Sequence, residues 1–244
     1  MGRPGYKIET EQIDKEIIAL SGKENPKLLF IPTASSDSKG YIRVVKKYFG
    51  KRLGCKVDSL NLIEGVFSCK ELENKIFSAD IVYVGGGNTY KMLKIWKRNN
   101  VDNILKKAWE KGKIISGLSA GAVCWFKYFS SDTRKFTTSK SNYHLMRLKG
   151  LDWIGVSYVP HFDTEPRRKT HLKKMMRRTV GVAFAVENCC AVLIKDNQYR
   201  IITSKKTANA YKVFWVKGKY YQIKIPALKE FKGISNLLRK NFKT

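Results

Sequence analysis

The chain has 244 residues, 43% of them hydrophobic, and 48 Lys plus Arg against 20 Asp plus Glu, a net charge of +28. That length suits one large α/β domain with a sizeable core. No apolar run approaches the ~20 residues that cross a bilayer. The opening "MGRPGYKIETEQ" lacks the apolar segment of a secretory signal, so a cytoplasmic protein is expected.

The excess charge would suit a nucleic-acid partner. Yet the lysines are spread through every helical pattern ("VVKKYFGKR", "KMLKIWKR", "HLKKMMRR"). A solvated basic surface is the favoured reading, and nucleic acid the disfavoured one. Five cysteines without CxxC spacing read as reduced thiols, and His144, His161 and His171 are too scattered for a zinc site. No metal is expected.

From Lys27 onward, short apolar runs alternate with helical patterns, the mark of a mainly parallel sheet with crossover helices. "KLLFIPTAS" is predicted to be a strand. Tyr41, Val44, Val45, Tyr48 and Phe49 share one helix face. After the strand "KVDSLNL", Ser68 and Glu71 form a capping-box pattern ahead of Leu72 and Ile76. The strand "IVYV" runs into "GGGN", where Asn88 is placed to cap a helix bearing Met92, Leu93 and Trp96. "NILKKAWEK" is a further helix, stopped by Gly112. The strand "KIISG" then reaches Ser119, and a helix is expected to start in "AGAVCWF".

Residues 127–150 look irregular and polar. "VSYVPHFD" is a strand ending near His161, and Pro166 opens the helix "PRRKTHLKKMMRR". "VAFAVE", "AVLIKDNQYRIIT" and "KVFWVKGKYYQIKI" read as antiparallel hairpins turning at Asp196–Asn197 and Lys217–Gly218. A basic amphipathic helix is expected after Pro226. The whole is read as a single domain, 1–244, with 200–244 as an extension of unassigned role.

"GLSAG" is the stretch with chemical content. A strand, then G-x-S-x-G, then a helix is the context of a nucleophile elbow. The chain reverses sharply at the serine, and only small flanking residues let strand and helix approach. The hydroxyl of Ser119 then stands above the sheet edge, with the Ala120 N–H able to stabilise an oxyanion. "GGGN", residues 85–88, ends a neighbouring strand and offers bare N–H groups to the same edge. His161, just past a strand, is the best-placed base. Asp132, Asp163 and Glu187 are the candidates for an acid that orients it.

"LLFIPTAS", "VGGGNTYKML", "GLSAGAVCWF" and "PHFDTEPRR", taken together and in this order, resemble the peptidase E family of aspartyl dipeptidases and their cyanophycinase relatives. The resemblance implies a flavodoxin-like fold similar to class I glutamine amidotransferases: α/β, a mainly parallel sheet sandwiched by helices, here with C-terminal antiparallel hairpins. It implies Ser119 as nucleophile, with Cys124 merely inside the helix, and His161 as base. Asp132 falls where similar enzymes carry their acid, with Glu187 the alternative. The oxyanion hole would comprise Ala120 with Gly86 or Gly87. Arg167 or Arg168 would meet a substrate carboxylate, and Asn88 is grouped with them as substrate-binding.

The expected partner is a small peptide, the expected cofactor none, and self-association into a homodimer is left open. The competing expectation is a basic binding module that keeps the fold without catalysis.

Overall fold

Leu28, Leu29, Phe30 and Ile31 are all buried, as four consecutive apolar residues must be when a parallel strand is covered on both faces. They belong to the first strand of a computed structural model that describes residues 8–136 and 143–242. These residues divide into two compact units, one of 14–124 and the other of 8–13 with 125–242.

The first unit begins within α1 (Glu11–Ala19), whose first three residues belong to the second unit. It continues with β1 (Lys27–Ile31), α2 (Lys39–Val45), β2 (Lys56–Ser59), α3 (Cys69–Ser78) and β3 (Ile81–Val84). The helices α4 (Thr89–Arg98) and α5 (Val101–Glu110), the strand β4 (Ile114–Gly117) and the short α6 (Ala120–Val123) complete it. Its sheet has the order β2-β1-β3-β4, with every pair parallel.

Alternate strand residues point to opposite faces. Leu28, Phe30, Ile81 and Tyr83 therefore pack with Ile42, Val45 and Phe49 from the α2 segment. The wider π-helical turn Lys46–Arg52, which continues α2, carries Phe49 into that cluster. On the other face α3 touches β1 and α5 touches β4. The capping box of Ser68 with Glu71 forms as predicted, and so does the Asn88 cap, which accepts from Lys91 N–H at 3.0 Å. Gly112 follows α5 with φ +81°.

The second unit holds β5 (Tyr128–Ser131), β6 (Met146–Lys149), β7 (Ser157–Val159), α7 (Pro166–Arg177) and β8 (Ala183–Val186). Next come β9 (Cys190–Lys195), β10 (Gln198–Thr203), β11 (Ala210–Val216), β12 (Lys219–Ile225), β13 (Lys232–Gly233) and α8 (Ile234–Leu238). A six-stranded sheet runs β12-β11-β8-β7-β5-β6, and a three-stranded one β13-β10-β9. Leu172, Met175 and Met176 of α7 pack on Val159, Ala183, Ala185 and Val213. The two hairpins turn where predicted, with Asp196, Asn197, Lys217 and Gly218 all at positive φ.

Four local expectations change. Residues 128–131 and 146–149 are paired strands rather than irregular chain, because Tyr128–Ser131 bonds to β6 on one side and begins a parallel pairing with β7 on the other. "VAFAVE" is no hairpin arm: β8 lies parallel to β7. The helix in "AGAVCWF" stops after Val123, since Trp125 and Lys127 exchange backbone bonds with Trp153 and Val156 at 2.8 Å each. The last helix, α8, is only five residues long.

Candidate active site

In the first unit, parallel pairing aligns Ile31 with Val84 and Val84 with Gly117, so the loops after β1, β3 and β4 leave from one sheet edge. Ser119 sits in the last of these loops with φ 51° and ψ −109°, a left-handed conformation that a non-glycine residue holds only when its surroundings impose it. The imposition is visible. A Cβ on Gly117 would lie 2.6 Å from Gly121 O and 2.7 Å from Val84 O, and one on Gly121 would lie 2.2 Å from Val84 O. Both glycines are thus required by the closeness of the turn to the end of β3.

Gly121→Ala is expected to cost about 2–3 kcal/mol, because the obstacle is backbone that cannot rotate away. Urea unfolding checks it, and a variant of wild-type stability would refute the packing argument.

The glycine turn after β3 stands beside the serine: a Cβ on Gly86 would lie 3.4 Å from Ser119 Cβ. Gly86 N–H points to the Tyr41 hydroxyl at a long 3.5 Å. Gly87, at φ +140°, has room for no side chain, since a Cβ would meet Ala34 O at 2.2 Å. Ala120 opens α6, where a helix leaves the N–H without an intrahelical acceptor. Cys124 is fully buried, and burial holds its thiol well above the ordinary value, so it remains protonated and inert.

In the second unit, His161 lies just beyond β7, also at positive φ (54°). Its Nδ1 is 2.7 Å from Oδ1 of Asn188. Sequence reasoning expects a carboxylate at this point and misses the amide. The three candidate acids have other engagements. Glu187 accepts from Asn209 N–H at 2.8 Å and from the Tyr211 hydroxyl at 3.1 Å. Asp163 accepts the Asn188 N–H at 2.9 Å. Asp132 faces Arg168, Oδ2 to Nη2 at 3.8 Å.

The two arginines separate sharply. Arg168 is 2% exposed, and its guanidinium is held by Glu165 at 2.8 Å and by Ser130 O at 2.7 Å. This corrects the expectation that it meets a substrate, because its donors face the interior. Arg167 is exposed, donates to Tyr143 O at 3.3 Å and lies over the Tyr143 ring. With Tyr143, Leu145, Thr164, Glu165 and Pro166 it lines a cleft of about 160 Å³.

His171 is paired with Ser130 Oγ at 2.9 Å. Burial, then the charges of Arg168 and Lys174, lower its pKa. A histidine with a depressed folded pKa binds fewer protons than the unfolded chain, so its contribution to stability is present above about pH 6.5 and is lost as pH falls. The difference in Tm between about pH 7.5 and pH 5.5 is therefore expected to shrink in His171→Asn. An unchanged difference would discount His171.

Among the described residues, no group of three or more His, Cys, Asp or Glu could hold a metal ion, and no helix is long and apolar enough to cross a membrane.

These features define the class: an α/β protein with a glycine-bounded serine turn at the C-terminal edge of a parallel sheet. The chain belongs to Peptidase family S51, whose model matches residues 3–202. It is 32% identical over 230 residues to the Bacillus subtilis (strain 168) protein named uncharacterized peptidase YgaJ, covering 93% of this chain and 95% of that one. The Listeria monocytogenes protein named uncharacterized peptidase Lmo0363 is 28% identical over 193 residues, covering 76% of this chain and 89% of the relative. The fold is similar to the crystal structure of a peptidase from an acI-B1 Actinobacterium, with a TM-score of 0.68 at 18% identity, covering 96% of this chain and 94% of that one.

Proposed function

We propose that this chain is a serine peptidase that hydrolyses small peptides, dipeptides with an N-terminal aspartate among them, through an acyl-enzyme. The observation that carries the reading is the left-handed Ser119 between Gly117 and Gly121 in a member of a peptidase family. The buried, protonated Cys124 supports serine over cysteine as the nucleophile.

In this reading Ser119 Oγ attacks the peptide carbonyl while its proton passes to Nε2 of His161. The N–H groups of Ala120 and of Gly86 or Gly87 receive the oxyanion. His161 then protonates the leaving amine, and water releases the acyl group by the same steps in reverse order. The reaction consumes only peptide and water.

Arg167 is the group proposed to meet an acidic substrate side chain. Its guanidinium is exposed beside a cleft, and a planar fork matches a carboxylate. The Asn88 side chain, whose Oδ1 is engaged in capping α4, would contribute through its amide N–H.

The test is a serine-directed phosphonate probe combined with a dipeptide panel. Labelling that Ser119→Ala removes supports the enzyme. Failure of the folded protein to label, together with salt-sensitive nucleic-acid binding, would favour the basic binding module instead. Arg167→Met is expected to lower kcat/KM for Asp-Xaa by about tenfold or more, with Ala-Xaa little changed. Equal losses on both substrates would reject the selectivity role.

A further inference from the structure

We propose that Asn188, an amide rather than a carboxylate, is the positioning residue that fixes the tautomer and ring orientation of His161. The inference rests on the serine-peptidase reading.

The amide oxygen of Asn188 lies 2.7 Å from Nδ1. An amide oxygen can only accept, so Nδ1 must carry the proton. Nε2 is then left with its lone pair, the form that can take a proton from the Ser119 hydroxyl as the new O–C bond forms. Asn188 is itself held from two sides. Its Nδ2 donates to Thr164 Oγ1 at 3.1 Å, and its backbone N–H donates to Asp163 Oδ1 at 2.9 Å. The His161 turn is closed in turn by Glu165 N–H on His161 O at 3.1 Å. The amide is thus part of a fixed chain running from Asp163 and Thr164 through Asn188 to the imidazole.

The end of the strand explains why the neighbouring Glu187 does not take this place. β8 ends at Val186; Glu187 still bonds across to Asn209, and Asn188 lies in the turn beyond, so the two side chains part. Glu187 turns toward Asn209 and Tyr211, and Asn188 turns toward His161.

Among the described residues, the charged groups near the turn include Asp163, Glu165 with Arg168, Glu187, the Lys205–Glu9 pair and Lys169, whose ammonium lies over the Phe162 ring. Each carboxylate is engaged as described, so the full negative charge that stabilises an imidazolium in an acid-based triad is replaced at Nδ1 by an amide dipole. Placing a carboxylate there should therefore stabilise the imidazolium.

The experiment follows His161 directly by NMR. The chain has three histidines, so single substitutions of His144 and His171 assign the signals. Nitrogen shifts of the neutral ring are expected to report the Nδ1–H tautomer. Asn188→Asp should raise the His161 titration midpoint, and the acidic limb of kcat/KM with it, by about one unit or more. Asn188→Leu should lower kcat on the order of ten- to a hundredfold while KM changes little.

An Nε2–H tautomer, an unmoved midpoint in Asn188→Asp, or a folded Asn188→Leu enzyme of normal kcat would each overturn the proposal. So would loss of the Nδ1–H signal in Asp132→Asn or Glu187→Gln with Asn188 intact. If Asn188→Leu fails to fold, the tautomer and the Asn188→Asp midpoint still decide. Both are also measured in Ser119→Ala, so turnover surviving that substitution would reject the serine reading while the NMR results judge Asn188 separately.

Discussion

Ser119→Ala is expected to reduce peptide turnover by about 10⁶-fold, the scale on which a serine hydrolase loses its nucleophile. The folded state should be undisturbed. Ser119 is set at φ 51° by the glycines on either side and by the bond from Leu118 N–H to Val84 O at 3.1 Å, none of which involves its hydroxyl. Alanine at positive φ costs about as much as serine does, so Tm should stay close to wild type. Cys124→Ala should retain turnover, because the thiol it removes is buried and protonated. The measurement is kcat/KM on a dipeptide substrate for the two variants side by side. Turnover that survives in Ser119→Ala and disappears in Cys124→Ala would move the nucleophile to the cysteine.

Arg168→Met carries the second large effect, and it falls on stability. The substitution keeps most of the side-chain volume but removes donors that hold Glu165 and Ser130 O, and it leaves a buried carbonyl without its partner. Glu165 and Asp132 keep side-chain exposures of 33% and 27%, so water recovers part of the loss. A cost of about 3 kcal/mol is expected, which in a chain of this size lowers Tm by roughly 6–12 °C. Arg167→Met, on the exposed neighbour, should leave Tm almost unchanged. Thermal unfolding of the pair separates the roles: equal Tm values would mean that the Arg168 contacts contribute little.

The elements that local chemistry specifies were readable from the residues. The capping box at Ser68, the Asn88 cap, Pro166 at the start of α7 and the turns at Asp196–Asn197 and Lys217–Gly218 depend on neighbours within a few positions. They formed as read. The turn at Ser119 was legible as a G-x-S-x-G pattern between a strand and a helix, although the obstacle that requires its glycines, Val84 O at the end of β3, lies more than thirty positions earlier. Residues 128–131 were not, because "YFSS" becomes a strand only through β6 and β7, partners roughly 20 to 30 positions further on.

The sequence by itself determined an α/β chain with a glycine-bounded serine turn at a strand end and a histidine just past another strand. Only the tertiary structure decided which of two adjacent arginines faces inward and which of Glu187 and Asn188 reaches the imidazole. The reason is physical. Composition and spacing place Arg167 with Arg168, and Glu187 with Asn188, in nearly equivalent positions, whereas one residue further moves a side chain by about 100° around a helix and, past the end of β8, carries it into a turn. That choice is set by what packs on each side: Ser130 O and Glu165 around Arg168, and Asn209 with Tyr211 around Glu187.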